Sequence, residues 1–296
     1  MSEVIKNRYD FVIIFDVQNG NPNGDPDLDN SPRVDPETGH GIITDGCLKR
    51  KIRDYVDAVY EDKSYKPGEA QNNIYVKRGI FLNDQQKKAY DSLGIPASKT
   101  LPKDIEKAKA LTQFMCHNFY DIRAFGAVMT TGVNCGQVRG PVQLGFSRSI
   151  DEVLPLDITL TRVTPTKFEE KKENKNTEFG NKYIIPYGLY RCEGYVSANL
   201  ARKTTGFSEE DLELLWTAIL NMFELDHSAA RGNMAVRELI VFKHDSELGC
   251  APAWKLFDTV QVKRKENVAV ARSFGDYTVT IQEDAIPQGV TVKRMG

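Results

Sequence analysis

The chain has 296 residues, 41% hydrophobic and 27% charged, with a formal net charge of −2. That length suits one elaborated domain or two small ones, with a core that needs no metal or disulfide staple. The longest early apolar run, Phe11 to Phe15, is far too short to span a bilayer and lacks the flanks of a secretory signal.

Five cysteines (Cys47, Cys116, Cys135, Cys192, Cys250) stand singly with no C-x-x-C pair, the usage of reduced thiols in a cytoplasmic protein. His40, His117, His227 and His244 are equally dispersed, so neither a metal site nor a cofactor is expected. Near-neutral charge argues at first against nucleic acid. The average hides segregation: residues 122 to 150 hold three arginines and no acid, whereas 208 to 226 hold six acids and no Lys or Arg. One basic face beside an acidic back is compatible with a polyanionic partner.

In chain order, Tyr9 to Val17 (YDFVIIFDV) is apolar on both alternating faces and reads as a central strand. A long loop dense in Gly, Pro, Asn and Asp follows. Thr44 then caps a helix whose Leu48, Ile52, Val56 and Val59 recur at helical spacing. Residues 61 to 120 read as a helical insertion, with one helix over Asn83 to Leu93 and a second from Pro102 towards Tyr120. Phe125 to Thr131 returns as a short strand. The stretch from Lys167 to Lys182 (KFEEKKENKNTEFGNK) is almost wholly polar and cannot join a core, so it projects. Leu189 to Leu200 is a strand with Tyr190, Cys192, Val196 and Ala198 on one face. Ser208 caps a helix carrying Leu212, Leu215, Trp216, Ile219 and Phe223, and Ala235 to Lys243 is the last strand of the set. Short strands follow around Val260, Val270 and Val279. Without the insertions the order is β-α-β-β-α-β, an α+β, ferredoxin-like arrangement.

Four constellations carry chemistry. In LKRKIR, Lys49 and Arg53 lie four apart on one helical face beside Arg50, a spacing that suits phosphates but, taken alone, favours a solvated face balanced by Asp54 and Asp57. In VRGPVQLGFSRS, Arg139, Gln143, Ser147 and Arg148 lie among glycines that allow close backbone approach, equally the pattern of a polyanion contact and of a strand-turn region with surface arginines. Asp25, Asp27 and Asp29 alternate like the start of a calcium loop, but Asn30 and Pro36 stand where that loop needs Gly and Glu, so Asx-turns are the better reading. GYVSA, Gly194 to Ala198, offers only Tyr195 as a base-stacking aromatic, and packing is favoured. No P-loop, G-x-S-x-G, H-E-x-x-H or paired Cys/His signature appears, so no enzyme is expected.

NGNPNGDPD after the first strand, TDGCLKRKIRDYV on the first helix, DIRAFGAVM, RGPVQLGFSRSID, YGLYRCEGYVSANLARKTTGFS and HSAARG together resemble the Cas-seven backbone subunit of type I-C CRISPR (Cascade) complexes, within the RAMP superfamily. The resemblance implies a modified RNA-recognition-motif palm with inserted helical fingers and a β-hairpin thumb. It divides the chain into 1–60 (strand, loop and helix of the palm), 61–120 (finger insertion), 121–132 (palm strand), 133–187 (RNA-contacting loop and thumb), 188–250 (second palm part) and 251–296 (C-terminal strands on the palm). It implies a non-catalytic subunit in antiviral defence that polymerises head to tail along guide crRNA. The implied partners are target DNA met through the guide, large, small and guide-processing subunits, and a recruited helicase-nuclease. Carried over by position, Lys49, Arg50, Arg53, Arg139, Gln143, Ser147 and Arg148 lie beside RNA, with Arg162, Thr164, Lys167 and Lys182 on the thumb. Reading phosphates and shape rather than base edges suits a subunit that must hold any guide. The rival reading is a metal-dependent endoribonuclease of the type III backbone kind, with Asp25, Asp27 or Asp35 catalytic. A stand-alone guide-processing ribonuclease would need an essential histidine.

Overall fold

The computed structural model describes residues 3–60, 70–162, 164 and 178–296. In chain order these form β1 (Tyr9–Gly20), β2 (Gly24–Asp25), β3 (Ser31–Pro32), β4 (His40–Ile43), α1 (Asp45–Val59), α2 (Leu82–Ser92), α3 (Ile105–Asn118), α4 (Tyr120–Phe125), β5 (Gly126–Met129), β6 (Gly136–Arg139), β7 (Val142–Leu144), β8 (Ser147–Glu152), β9 (Leu156–Arg162) and β10 (Glu178–Val196). The chain continues through α5 (Glu209–Asn221), β11 (Asn233–His244), α6 (Ala253–Thr259), β12 (Val260–Arg264), β13 (Tyr277–Ile281) and β14 (Val290–Met295).

The fold is α+β around one antiparallel sheet of order β14-β11-β1-β10-β8-β4, with β7 and β9 also paired to β10. β1 is central because both of its faces are apolar. Phe11, Ile13, Phe15 and Val17 meet Leu48, Ile52 and Val56 of α1 and Leu212, Leu215, Trp216 and Ile219 of α5. On the opposite face Val12 and Ile14 join Ile240 and Phe242 under Leu256, Phe257, Val260 and Tyr277 of the C-terminal segment. Both sheet-covering helices start where their caps dictate. The Thr44 hydroxyl accepts from Cys47 N, and Ser208 and Asp211 form a reciprocal capping box.

The inserted lobe has its own core of Tyr90, Leu111, Phe114, Met115, Phe119, Ile122, Met129 and Val138. It therefore extends past residue 120. The palm strand expected over 121–132 is not in the sheet: α4 precedes β5, and β5 pairs with β6 inside the lobe. The cause is local. Gly126 turns the chain at φ 81°, and a Cβ there would strike the Val138 carbonyl, so only glycine lets β5 fold against β6. β7, opposite Gly194 to Val196, takes the expected place beside β10. β10 is also longer than the expected Leu189 to Leu200: it starts at Glu178 and ends at Val196, and Ala198 opens a helical turn. Around Val270 there is no strand.

Candidate nucleic-acid interface

On α1, the cations expected to face solvent divide sharply. Lys49 Nζ lies 2.9 Å from Asp45 Oδ2 and 5.7 Å from the centre of the Phe125 ring. Arg53 Nε donates to Asp121 Oδ2 at 2.8 Å, and its guanidinium stands 5.2 Å from the same ring. Both side chains are only 14% exposed. The Asp121 carboxylate also accepts from Tyr75 N (2.8 Å) and Val76 N (3.1 Å), so it ties α1, α4 and the lobe together. Lys51 is buried against Asp226 and the Phe223 ring. Arg50 alone of this group points outward, 3.5 Å from Asp54. The segment's spacing could not separate these fates, because Phe125 and Asp121 arrive from about seventy residues downstream.

The segment from 139 to 148 lies along β10. Arg139 is exposed at the end of β6. The Gln143 amide donates to Gly140 O (3.2 Å) and Phe125 O (3.4 Å) and braces the close Gly126–Gly140 contact. Arg148 is exposed, and its Nη1 sits 2.8 Å from Asp35 Oδ2. That guanidinium, helped by the Glu37 amide, holds the Asp35 carboxyl below the usual carboxylate range. Ser147 is a correction: it is fully buried beside Cys192 and cannot touch a surface ligand.

The loop after β1 is built from side-chain turns. Asn23 Oδ1 accepts from Thr44 N (2.9 Å) and Thr44 Oγ1 (3.0 Å), Asn21 Nδ2 donates to Asn30 O, and Asn19, Asp29 and Asn30 all adopt positive φ. Asn21 N donates to Ala230 O at 2.6 Å, so the HSAARG segment closes onto this loop. Arg231 there pairs with Asp226 at 2.8 Å. Among the described residues no group of three His, Cys, Asp or Glu side chains could hold a metal ion. Two histidines have structural partners: His40 Nδ1 lies 2.8 Å from Ser149 O, and His244 is buried between Asp10 and Cys250 N.

The β9–β10 hairpin carries the remaining expected residues. Arg162 stands in backbone register with residue 178 at the hairpin's described end, and Thr164 is exposed beyond it. Lys182 is half-buried opposite Ile158, and Lys167 lies outside the described residues. Leu156, Ile158, Leu160 and Phe179 are exposed along the hairpin. At its root the Tyr183 hydroxyl donates to Asp29 at 3.2 Å, joining the hairpin to the loop after β1. No helix among the described residues is long and apolar enough to cross a membrane.

Sequence reasoning missed two features. Arg123, fully buried, grips Asp211 through both Nε (2.8 Å) and Nη2 (2.7 Å) and spends its remaining donors on Asn72 and the carbonyls of Gln71, Cys116 and His117. The only advance signal was its place in an acid-free stretch. Phe146, 61% exposed, is the other. An apolar residue between Gly145 and the Ser147–Arg148 pair was the available signal for it.

The sequence model of the family described as CRISPR-associated protein Cas7 matches residues 7–282. A curated relative, CRISPR-associated protein Cas7 of Haloferax volcanii, is 30% identical over 225 residues, covering 73% of this chain and 65% of the relative. The chain thus matches just under two-thirds of that relative's length. Among solved structures, a chain of a CRISPR RNA-guided surveillance complex in a pre-nicking state aligns at 14% identity with a TM-score of 0.47, over 79% of this chain and 78% of that one. A chain of the type III-B Cmr-beta complex bound to cognate target RNA aligns at 10% identity with a TM-score of 0.40, over 79% and 61%.

Proposed function

Because the chain belongs to the CRISPR-associated protein Cas7 family, we propose that it is the crRNA-holding backbone subunit of a type I-C surveillance complex and has no catalytic role of its own. On this reading β1, α1, β7, β10, α5 and β11 are a modified RNA-recognition-motif palm, residues 70–139 are the fingers, and the β9–β10 hairpin is the thumb. The observation that carries the reading is that hairpin. Its Leu156, Ile158 and Leu160 stay exposed along one face, and Phe179, opposite Thr161, on the other, although the chain has a full core elsewhere. A row of open apolar side chains on a projecting ribbon marks a protein contact. A contact between unlike surfaces of identical copies propagates as an open helix wherever its rotation does not close a ring.

Arg50, Arg139 and Arg148 are the phosphate contacts of this proposal, and Lys49 and Arg53 act by holding α1 against α4. The expected partners are crRNA, target DNA through the guide, further copies of the chain, the other subunits and a recruited helicase-nuclease, all in the cytoplasm. The test is co-expression with the neighbouring operon proteins and a guide transcript, followed by sizing and RNA extraction. Retention of the guide in an assembly holding several copies supports the reading. An assembly free of RNA, or cleavage of complementary RNA abolished by Asp25→Ala, overturns it.

A further inference from the structure

The strand beside β10 breaks phase at one point. Leu144 stands opposite Gly194 and Arg148 opposite Arg191, so three residues (145–147) face two (192 and 193). One extra residue in a ladder is a β-bulge, which bends the strand and re-aims a side chain. It is pinned by Gly145 N donating to Glu193 O at 2.8 Å and by Cys192 Sγ donating to Gly145 O at 3.4 Å.

The alternation of β7 buries Val142 and Leu144, and its continuation would bury Phe146. The bulge reverses that. Ser147 and Ser149 turn inward and Phe146 turns out to solvent. A phenyl ring is left in water while a serine enters the core, its hydroxyl beside only the weakly accepting sulfur of Cys192. Both choices are unfavourable for folding alone. Places where a local rule is broken in this way are where function is expected.

The surroundings indicate the ligand. Tyr195, opposite Gln143 on β10, is 40% exposed, and its ring is held edge-on by Phe257 of α6 at 5.5 Å. Arg148 follows Phe146 on the outward face, and Arg139 is exposed just before β7. The acids alongside are paired: Glu193 with Arg191 at 3.0 Å and Asp35 with Arg148 at 2.8 Å. Aromatic rings beside guanidinium groups and an amide match a single nucleic-acid strand, whose bases stack and whose phosphates take the cations.

We propose that Phe146, assisted by Tyr195, is a stacking platform for unpaired bases of the RNA that the subunit holds. The proposal rests on the RNA-binding reading above and adds the contact made to the bases. Every base has a π face, so such a platform is indifferent to sequence.

The experiment uses the full chain and oligoribonucleotides carrying 2-aminopurine at successive positions, whose emission falls on stacking. Wild-type protein is expected to quench a subset of positions. Phe146→Ala should relieve that quenching and weaken binding roughly tenfold, with an unchanged salt slope. Phe146→Trp should keep both properties, and Phe146→Leu should lose the quenching. Unchanged binding and quenching in Phe146→Ala, or Phe146→Leu matching Phe146→Trp, overturns the proposal. So does loss of head-to-tail assembly in Phe146→Ala without RNA, which makes the ring a subunit contact. Wild-type protein that binds no RNA removes the functional reading and this proposal together, whereas normal binding with an indifferent Phe146→Ala removes only this one.

Discussion

The α4 joint and the β7–β8 stretch both carry arginines, yet they use them oppositely. At the joint Arg53 takes Asp121 and Arg123 takes Asp211, each nearly sealed from water. On β8 Arg148 has one surface partner, Asp35, and stays 59% exposed. The joint's cations fix the lobe on the sheet, and that of β8 remains available to a ligand. What separates them is the supply of buried acids, not the residue type.

The largest break in this contrast comes from Arg123→Ala. It removes a buried bidentate pair and four further hydrogen bonds, leaving Asp211 only its Ser208 cap, and should cost about 3–5 kcal/mol, read as a lowered denaturant midpoint. Arg53→Ala should cost less, about 1–3 kcal/mol, because Arg53 is 14% exposed against 3% for Arg123, and Asp121 keeps the Tyr75 and Val76 amides. Arg148→Ala should leave stability within about 0.5 kcal/mol. It should still weaken RNA binding and lower the salt slope by about one. An Arg148 effect on stability as large as that of Arg53 would erase the distinction.

The smallest effect is in pH. The folded Asp35 carboxyl is held low by Arg148, so what the pair contributes is present above the unfolded value, about 4. It disappears as pH falls through the lower folded value. Any stability difference between wild type and Arg148→Ala should therefore stay flat between about pH 8 and 5 and shrink only in acid.

These contrasts also mark how far the sequence could be read. β1, α1 and α5 were legible because their apolar periods match what they pack against and because Thr44 and Ser208 cap the helices. The segment after Phe125 was not, since a short apolar run says strand without saying which sheet, and Gly126 sends it into the lobe. Ser147 reads as a surface residue because a bulge shifts parity without a composition signal. Lys49 and Arg53 read as a pair from their spacing, but their partner Phe125 and the acceptor Asp121 are tertiary facts.

β10 runs unbroken for 19 residues, about 60 Å, from the hairpin into the middle of the sheet between β1 and β8. A hairpin rooted this way is a cantilever, not a tether. Its register with β1 skips one pair, at Asn19 and Pro186, where the proline has no N–H to donate and Asn19 adopts φ 49°. In the head-to-tail row proposed above, seating one arm would strain that point in the chain that owns it.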